Sequence, residues 1–251
     1  MYHEIERPGR PTCGRQPGYL RYVVPEANFL AQLDHLRAEG VQGLSVGTAL
    51  SGRPAGQRAV AITFDDGCET DLLVAAPLLQ ERGFGATFYV VAGFVGQAGF
   101  LTGPQVRRLA ESGFEIGCHS MTHPYLTDLD EVRMGVEIVE AKDRLEQLTG
   151  RPVAHFSCPG GRWDGRVARL ARESGYASVA TSRVGANGPA DDRYCLARVA
   201  VQRGTGVADF DGVCRGRLWR RRLKEGILAS AKRFVGNTLY EKLRTAVLGR
   251  R

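Results

Sequence analysis

Two adjacent acids, Asp65 and Asp66, and two histidines four residues apart, His119 and His123, are the side chains of this protein best suited to hold a cation and move a proton. Neighbouring carboxylates on a turn (Thr63-Phe64-Asp65-Asp66-Gly67) repel one another, and a cation beside them relieves the cost. The imidazoles of His119-Ser-Met-Thr-His123 can reach one metal ion if the segment turns helically, and imidazole with carboxylate is a zinc-type ligand mix. This is not the H-E-x-x-H of zinc proteases, because Ser120 stands where the glutamate base belongs. A general base must come from elsewhere, and Asp65 is available. A third stretch, residues 156–161, ends in Pro159-Gly160-Gly161, a turn able to bring backbone N–H groups close to a ligand. Read singly, each has a plain alternative: an acidic turn, two loop histidines, a tight turn.

All three stretches follow short apolar runs, and in parallel α/β folds functional groups collect at the carboxyl ends of strands. From residue 59 onward such runs alternate with amphipathic stretches, the pattern of βα units whose strands are buried on both faces. The periodicity predicts strands over 59–64, 86–91, 114–118, 153–157, 177–181 and 196–201, and helices over 70–82, 103–112, 128–148 and 164–174. In the third helix, Thr127 with Asp130 reads as a capping box and Leu129, Val132, Val136, Val139, Leu145 and Leu148 as the buried side. Gly83, Gly113 and Gly175, each followed by an aromatic residue, read as left-handed helix ends. Residues 26–39 form a further amphipathic helix (Phe29, Leu30, Leu33, Leu36). No linker follows it, so 1–203 reads as one domain.

The 251 residues are 43% hydrophobic and 24% charged, which supports a large core and excludes a disordered chain. No apolar run approaches the ~18 residues needed to cross a bilayer, and the first residues lack the order of a signal peptide. The six cysteines stand singly, which fits free thiols in a reducing, cytoplasmic setting. Net charge is +7, but residues 215–251 carry twelve Lys/Arg against Glu225 and Glu241. Their net of +10 leaves the other 214 residues at −3, so the body is not a nucleic-acid-binding domain. Residues 204–251 read instead as a basic tail of two amphipathic helices broken near Gly236-Asn237, with Trp219, Leu223, Ile227, Val235, Leu239, Leu243 and Val247 as the apolar stripe. Such a stripe suits either packing on the body or peripheral contact of 215–251 with an anionic membrane face.

Together, the strand-end Asp-Asp-Gly, His-Ser-x-x-His and Pro-Gly-Gly resemble the NodB-homology polysaccharide deacetylases, the fourth carbohydrate esterase family. The likeness extends over roughly 1–203 and includes the opening Tyr2-His3. It implies an α/β fold, a distorted (β/α) barrel of about seven parallel strands. It also implies a metal-dependent hydrolase that removes an acetyl or formyl group from an amino sugar of a polysaccharide or lipid-linked saccharide. By motif position, Asp66, His119 and His123 are the implied ligands of one divalent ion, usually zinc and sometimes another first-row ion. Asp65 is the implied catalytic base, and the turn at Pro159 and Gly160 the implied oxyanion donor.

The departures from the family pattern are informative. The third motif commonly has arginine two residues before the proline and an aromatic after it; Ser157 and Gly160 stand there. Residues 181–188 lack the usual aspartate and tryptophan, and the Leu-x-His that supplies a general acid reads Leu196-Ala197-Arg198. Arg198 either replaces the missing arginine beside Asp65 or is a surface residue of the last strand. His3 or His155 either supplies the acid or packs. Two alternatives therefore stand beside the deacetylase: an O-acetyl carbohydrate esterase, and a metal-containing saccharide-binding protein with little turnover. Only Met1 precedes Tyr2-His3, where the family has several apolar residues, which points to a shortened start. Gly43-Leu44-Ser45-Val46-Gly47 matches a serine nucleophile elbow, but a helix end precedes it, not a buried strand. Cys68, Cys118 and Cys158 each adjoin a motif and read as small buried residues, not thiolate ligands.

Overall fold

A computed structural model describes residues 1–52 and 56–219, and within them short parallel strands fall into three sheets. Strand β1 (Glu4–Glu6) pairs with β2 (Val23–Pro25), and β3 (Gln42–Leu44) with β4 (Ala59–Ala61). The principal sheet is curled and runs β5 (Thr63–Phe64), β6 (Thr87–Val90), β7 (Glu115–Cys118), β8 (His155–Ser157), β9 (Ser178–Ala180). Around these lie α1 (Pro17–Leu20), α2 (Glu26–Ala38), α3 (Val46–Ser51), α4 (Ala76–Gln80), α5 (Gly103–Glu111), α6 (Glu131–Gly135), α7 (Ala141–Thr149), α8 (Gly165–Glu173) and α9 (Val207–Cys214). A π turn (Asp71–Ala75) leads into α4, and a second (Val136–Glu140) joins α6 to α7.

The βα order is as expected, but the single barrel of about seven strands is corrected to a half-barrel-like sheet flanked by two strand pairs. The run 59–64 breaks at Ile62 between two sheets, and 196–201 is not a strand. Its N–H groups go to separate partners: Leu196 to Val179 (2.9 Å), Arg198 to Arg183 (2.8 Å) and Val201 to Met1 (2.9 Å). No ladder can form on so scattered a set. Met1 and Tyr2 span the interval back to β5: the Met1 amino group donates to Val199 O and Met1 O accepts from Val201 N–H, while Tyr2 N–H donates to Thr63 O and Tyr2 O accepts from Asp65 N–H.

Aromatic rings pack the face of the sheet that the helices cover. Tyr2 stacks on Phe64 and Phe64 on Phe88, with centroids 5.3 and 4.8 Å apart, and Phe114 meets Phe88 edge-on. Each such ring, fully buried, contributes about 1.5–3 kcal/mol by leaving water. Helix α2 buries Phe29, Leu33 and Leu36, and α9 lies against it with Phe210 in the same core. Residues 220–251, which hold most of the basic stretch and its expected helix pair, lie outside the described residues. No described helix is long and apolar enough to cross a membrane.

Two local expectations change. The helix expected over 128–148 is capped by Asp130, whose side chain accepts from Arg133 N–H, after a 3-10 turn at Leu126–Asp128; the Thr127 box does not form. Its buried side is Met134, Ile138, Ala141 and Leu145, whose spacing of four, three and four makes one stripe, while Val132 is 81% exposed. The helix ends at Gly83, Gly113 and Gly175 do adopt positive φ. Ser45 caps α3, its oxygen meeting Thr48 and Glu115, which is a structural role and not that of a nucleophile.

Candidate active site

The three motifs meet at the carboxyl ends of β5, β7 and β8. Asp65 and Asp66 leave β5, His119 leaves β7, and Ser157 ends β8 ahead of the Pro159–Gly161 turn. Among the described residues, the three non-glycine residues with positive φ are Asp66 (81°), Ser120 (70°) and His123 (65°), all in these loops. Backbone held in that region by its surroundings is a known property of functional sites. The holding groups are visible. Glu137, turned inward by the second π turn, accepts from the N–H groups of Met121 (2.9 Å) and Thr122 (2.8 Å) and from the Thr122 hydroxyl (2.6 Å). Gly93 N–H donates to Met121 O at 2.8 Å, so close that a Cβ on Gly93 would lie 2.4 Å from that oxygen.

Asp66, His119 and His123 form a donor set whose ligand atoms all lie within 4.8 Å of one another. Asp66 Oδ1 is 3.6 Å from His119 Nε2 and 3.5 Å from His123 Nε2. A tetrahedral zinc ion with ligands at about 2.1 Å has ligand-to-ligand edges of about 3.4 Å, so these spacings fit it with little rearrangement. His119 Nδ1 lies 2.8 Å from Ser157 O. A carbonyl only accepts, so Nδ1 carries the proton and the Nε2 lone pair faces Asp66. Burial lowers the pKa of His119 to about 3, against the pull of Asp65, and burial also lowers that of His123. Both rings are therefore neutral near pH 7, as metal ligation requires. Burial raises Asp66 to about 6, with Asp65 adding to the rise and His3 opposing it.

Asp65 differs from its neighbour because of one partner. Burial raises its pKa, but the Arg198 guanidinium, and next His119, hold the carboxyl well below its usual range. Arg198 Nη1 is 2.7 Å from Asp65 Oδ1, and Nη2 is 2.9 Å from Oδ2. The guanidinium is positioned by Thr181 O at Nε (2.9 Å) and by Ser157 Oγ at Nη2 (2.7 Å). The alternative of Arg198 as a surface residue is corrected by its side chain, which is 8% exposed and faces the site.

The structure brings His3 to the same place. Its ring lies 4.6 Å from that of Tyr22, its buried Nδ1 has no hydrogen-bond partner, and Asp66 and Asp65 raise its pKa against the larger lowering by burial. His155 is not brought there. Its Nδ1 meets Ser178 Oγ at 2.8 Å and its Nε2 faces Glu115, so as the general acid it is ruled out by position. Gly160 has φ of 60°, and a Cβ there would lie 2.5 Å from a Tyr125 ring carbon. Pro159 beside it is buried.

Sequence reasoning missed Ser157 as a bridge between Asp65 and Arg198, Glu137 as the anchor of the histidine loop, and Tyr125 beside the turn. A signal existed only for Ser157, which occupies the position where the related family has arginine.

Residues 52–179 match the family profile described as polysaccharide deacetylase. YxkH of Bacillus subtilis (strain 168) is 27% identical over 191 residues, 74% of this chain and 68% of that protein. A peptidoglycan-N-acetylglucosamine deacetylase of Bacillus cereus is 31% identical over 127 residues, 50% of this chain and 57% of that protein, so the chain spans little more than half of its length. Among solved structures, BC0361, a polysaccharide deacetylase from Bacillus cereus, superposes with a TM-score of 0.73 at 26% identity, covering 85% of this chain and 67% of that one. The Streptococcus pyogenes deacetylase PplD in complex with acetate superposes at 0.74 with 23% identity, covering 85% and 95%, a likeness of fold.

Proposed function

This chain belongs to the polysaccharide deacetylase family, and from that premise we propose that it hydrolyses the acyl–nitrogen bond of an N-acylated amino sugar in a glycan or lipid-linked saccharide. The observation that carries the reading is the convergence of Asp66, His119 and His123 on one point, with Asp65 beside them and paired to Arg198. The chemistry that a divalent ion, zinc in the first instance, supplies in such a three-ligand site is Lewis acidity toward the acyl oxygen and a lowered pKa for water. Asp66, His119 and His123 would hold it.

Asp65 is the general base. A base must be ionised to accept a proton, and the Arg198 fork keeps Asp65 ionised inside the protein. The same fork fixes the direction of the carboxylate, because Nη1 and Nη2 each engage one oxygen. The backbone at Gly160 offers an N–H to the developing oxyanion. His3 is the imidazole available near the leaving amine; burial keeps it neutral at rest, so it would donate only after taking up a proton, such as the one Asp65 accepts from water.

Acetate or formate release from matched N-acyl and O-acetyl oligosaccharides, with and without chelator, tests this. Release from the N-acyl series that chelator and Asp65→Asn each abolish supports it. Release from the O-acetyl series alone makes the protein an esterase, whose leaving group needs less of an acid. Saccharide binding without release by the parent protein sinks hydrolysis altogether.

The basic stretch 215–251 supports a further part of the proposal, peripheral contact with an anionic membrane that carries a lipid-linked substrate. Each basic side chain near such a surface adds about 1 kcal/mol. Liposome sedimentation tests it: binding should require anionic lipid, weaken with salt, and vanish on deleting 215–251. A full-length protein that ignores anionic liposomes at low salt removes this part of the reading.

A further inference from the structure

Behind the Asp66 loop lies a second group of metal-ligating side chains that the proposed hydrolysis does not use. A carboxylate oxygen of Glu4 on β1, Cys13 Sγ in the loop after β1 and Cys68 Sγ on the turn after β5 all lie within 4.8 Å of one another. Glu4 and Cys68 are buried and Cys13 is half-buried, and neither thiol is in a disulfide. The Tyr19 hydroxyl touches both Glu4 Oε2 (2.7 Å) and Cys68 Sγ (3.3 Å), which puts a fourth donor on the same point.

A second observation concerns the residue next to this group. Asp71 is fully buried on the first π turn, tied to Cys68 by its N–H (3.0 Å to Cys68 O), and neither of its carboxylate oxygens has a hydrogen-bond partner. Burial first, and then Cys13, Asp66 and Glu4, push its pKa well above the usual carboxylate range, so on its own it stays protonated. Arg10, in the loop that carries Cys13, pairs with Glu69. A buried carboxyl without a partner stays neutral, and a cation beside it is what lets it ionise.

We propose that Glu4, Cys13 and Cys68 bind a second zinc ion, with Tyr19 beside them and Asp71 in the surrounding shell. Two thiolates with one carboxylate favour zinc over magnesium or calcium, which prefer oxygen alone. Binding involves no oxidation: the ion enters as Zn2+, each thiol releases one proton to solvent, and Glu4 binds as its carboxylate. The consequence is mechanical. Cys68 is two residues from Asp66, so the ion ties the loop that carries Cys13 to the turn that positions the primary ligand. The site stands apart from the deacetylase reading, since it shares no ligand with Asp66, His119 and His123.

The test uses the full chain, purified with reductant, stripped with chelator and reloaded with Zn2+ or Co2+. Two zinc equivalents per chain are expected, falling to one in Cys13→Ser and, separately, to one in a variant carrying Asp66→Asn with His119→Ala. Cobalt-loaded parent should show a near-ultraviolet thiolate-to-cobalt charge-transfer band that persists in the second variant and is absent from Cys13→Ser. The band in the parent protein needs no variant, so a misfolded Cys13→Ser does not blunt the test. A parent that lacks the thiolate band, or carries a Cys13–Cys68 disulfide under these reducing conditions, overturns the proposal; one equivalent with the band present counts against the Asp66 centre instead.

Discussion

Arg198 meets Asp65 through two hydrogen bonds, Nη1 to Oδ1 at 2.7 Å and Nη2 to Oδ2 at 2.9 Å, across 133 residues of chain. Both side chains are withdrawn from water, 8% and 3% exposed, so each depends on the other for compensation of its charge. Removing one partner of such a pair costs about 3–5 kcal/mol. Arg198→Ala should lose stability of that order in urea denaturation, and Asp65→Asn with Arg198 intact should do the same. Arg198→Lys keeps a charge but loses the fork, and should recover part of the stability while turnover stays low.

The base itself is tested by turnover. Asp65→Asn preserves shape and removes the proton acceptor, so kcat should fall by about 10²–10⁴-fold, the usual contribution of a positioned acid or base. Metal content measured on the same sample should stay at the parent level, because the ligands are Asp66, His119 and His123. Loss of metal in Asp65→Asn would make Asp65 a ligand and remove it as the base.

Metal removal should be visible without any substrate. A ligand that binds only the folded state, present at 100 times its Kd, adds about 2.7 kcal/mol of stability. Zinc added to stripped protein should therefore raise Tm, and His123→Ala should cut that rise. An unchanged Tm in both proteins would argue against the three-ligand centre.

Glu137 acts at a distance. Glu137→Gln keeps the size of the side chain but leaves a single oxygen to do what Oε1 and Oε2 do together for Met121 and Thr122. Supporting groups of this kind change metal affinity by about 10–100-fold when altered. Zinc affinity by competition with a chromophoric chelator should weaken by that factor while far-ultraviolet circular dichroism stays constant.

On the helix from Glu131 to Thr149, Ile138→Ala should cost about 2–5 kcal/mol, as expected when a fully buried side chain is cut back. Val132→Ala should stay within about 0.5 kcal/mol, because Val132 lies in water. Equal effects in denaturation would restore the side of the helix that the valines suggested.

The sequence alone determined the order of βα units and the three loops that carry chemistry, because both are local. Apolar runs bounded by turn residues mark strands wherever they later pair, and Asp65, Asp66, His119 and His123 are recognisable by type and spacing. Even there, periodicity misjudged the inner face of the helix after residue 130. Hydrophobicity favoured Val132 and Val136, whereas packing selected Met134 and Ile138 and turned charged Glu137 inward to bond the histidine loop. What only the tertiary structure decided are relations between distant segments. Arg198 had two readings of equal standing until the fold brought it to Asp65 and Ser157. His155 was separated from the site by its bond to Ser178. Cys13, without a signal at its place in the chain, and Cys68, which read there as a small buried residue, became neighbours of Glu4. The physical reason is the same in each case: hydrogen bonds, ion pairs and ligand sets form within about 3–4 Å in space, and chain separation carries no record of which side chains will come so near.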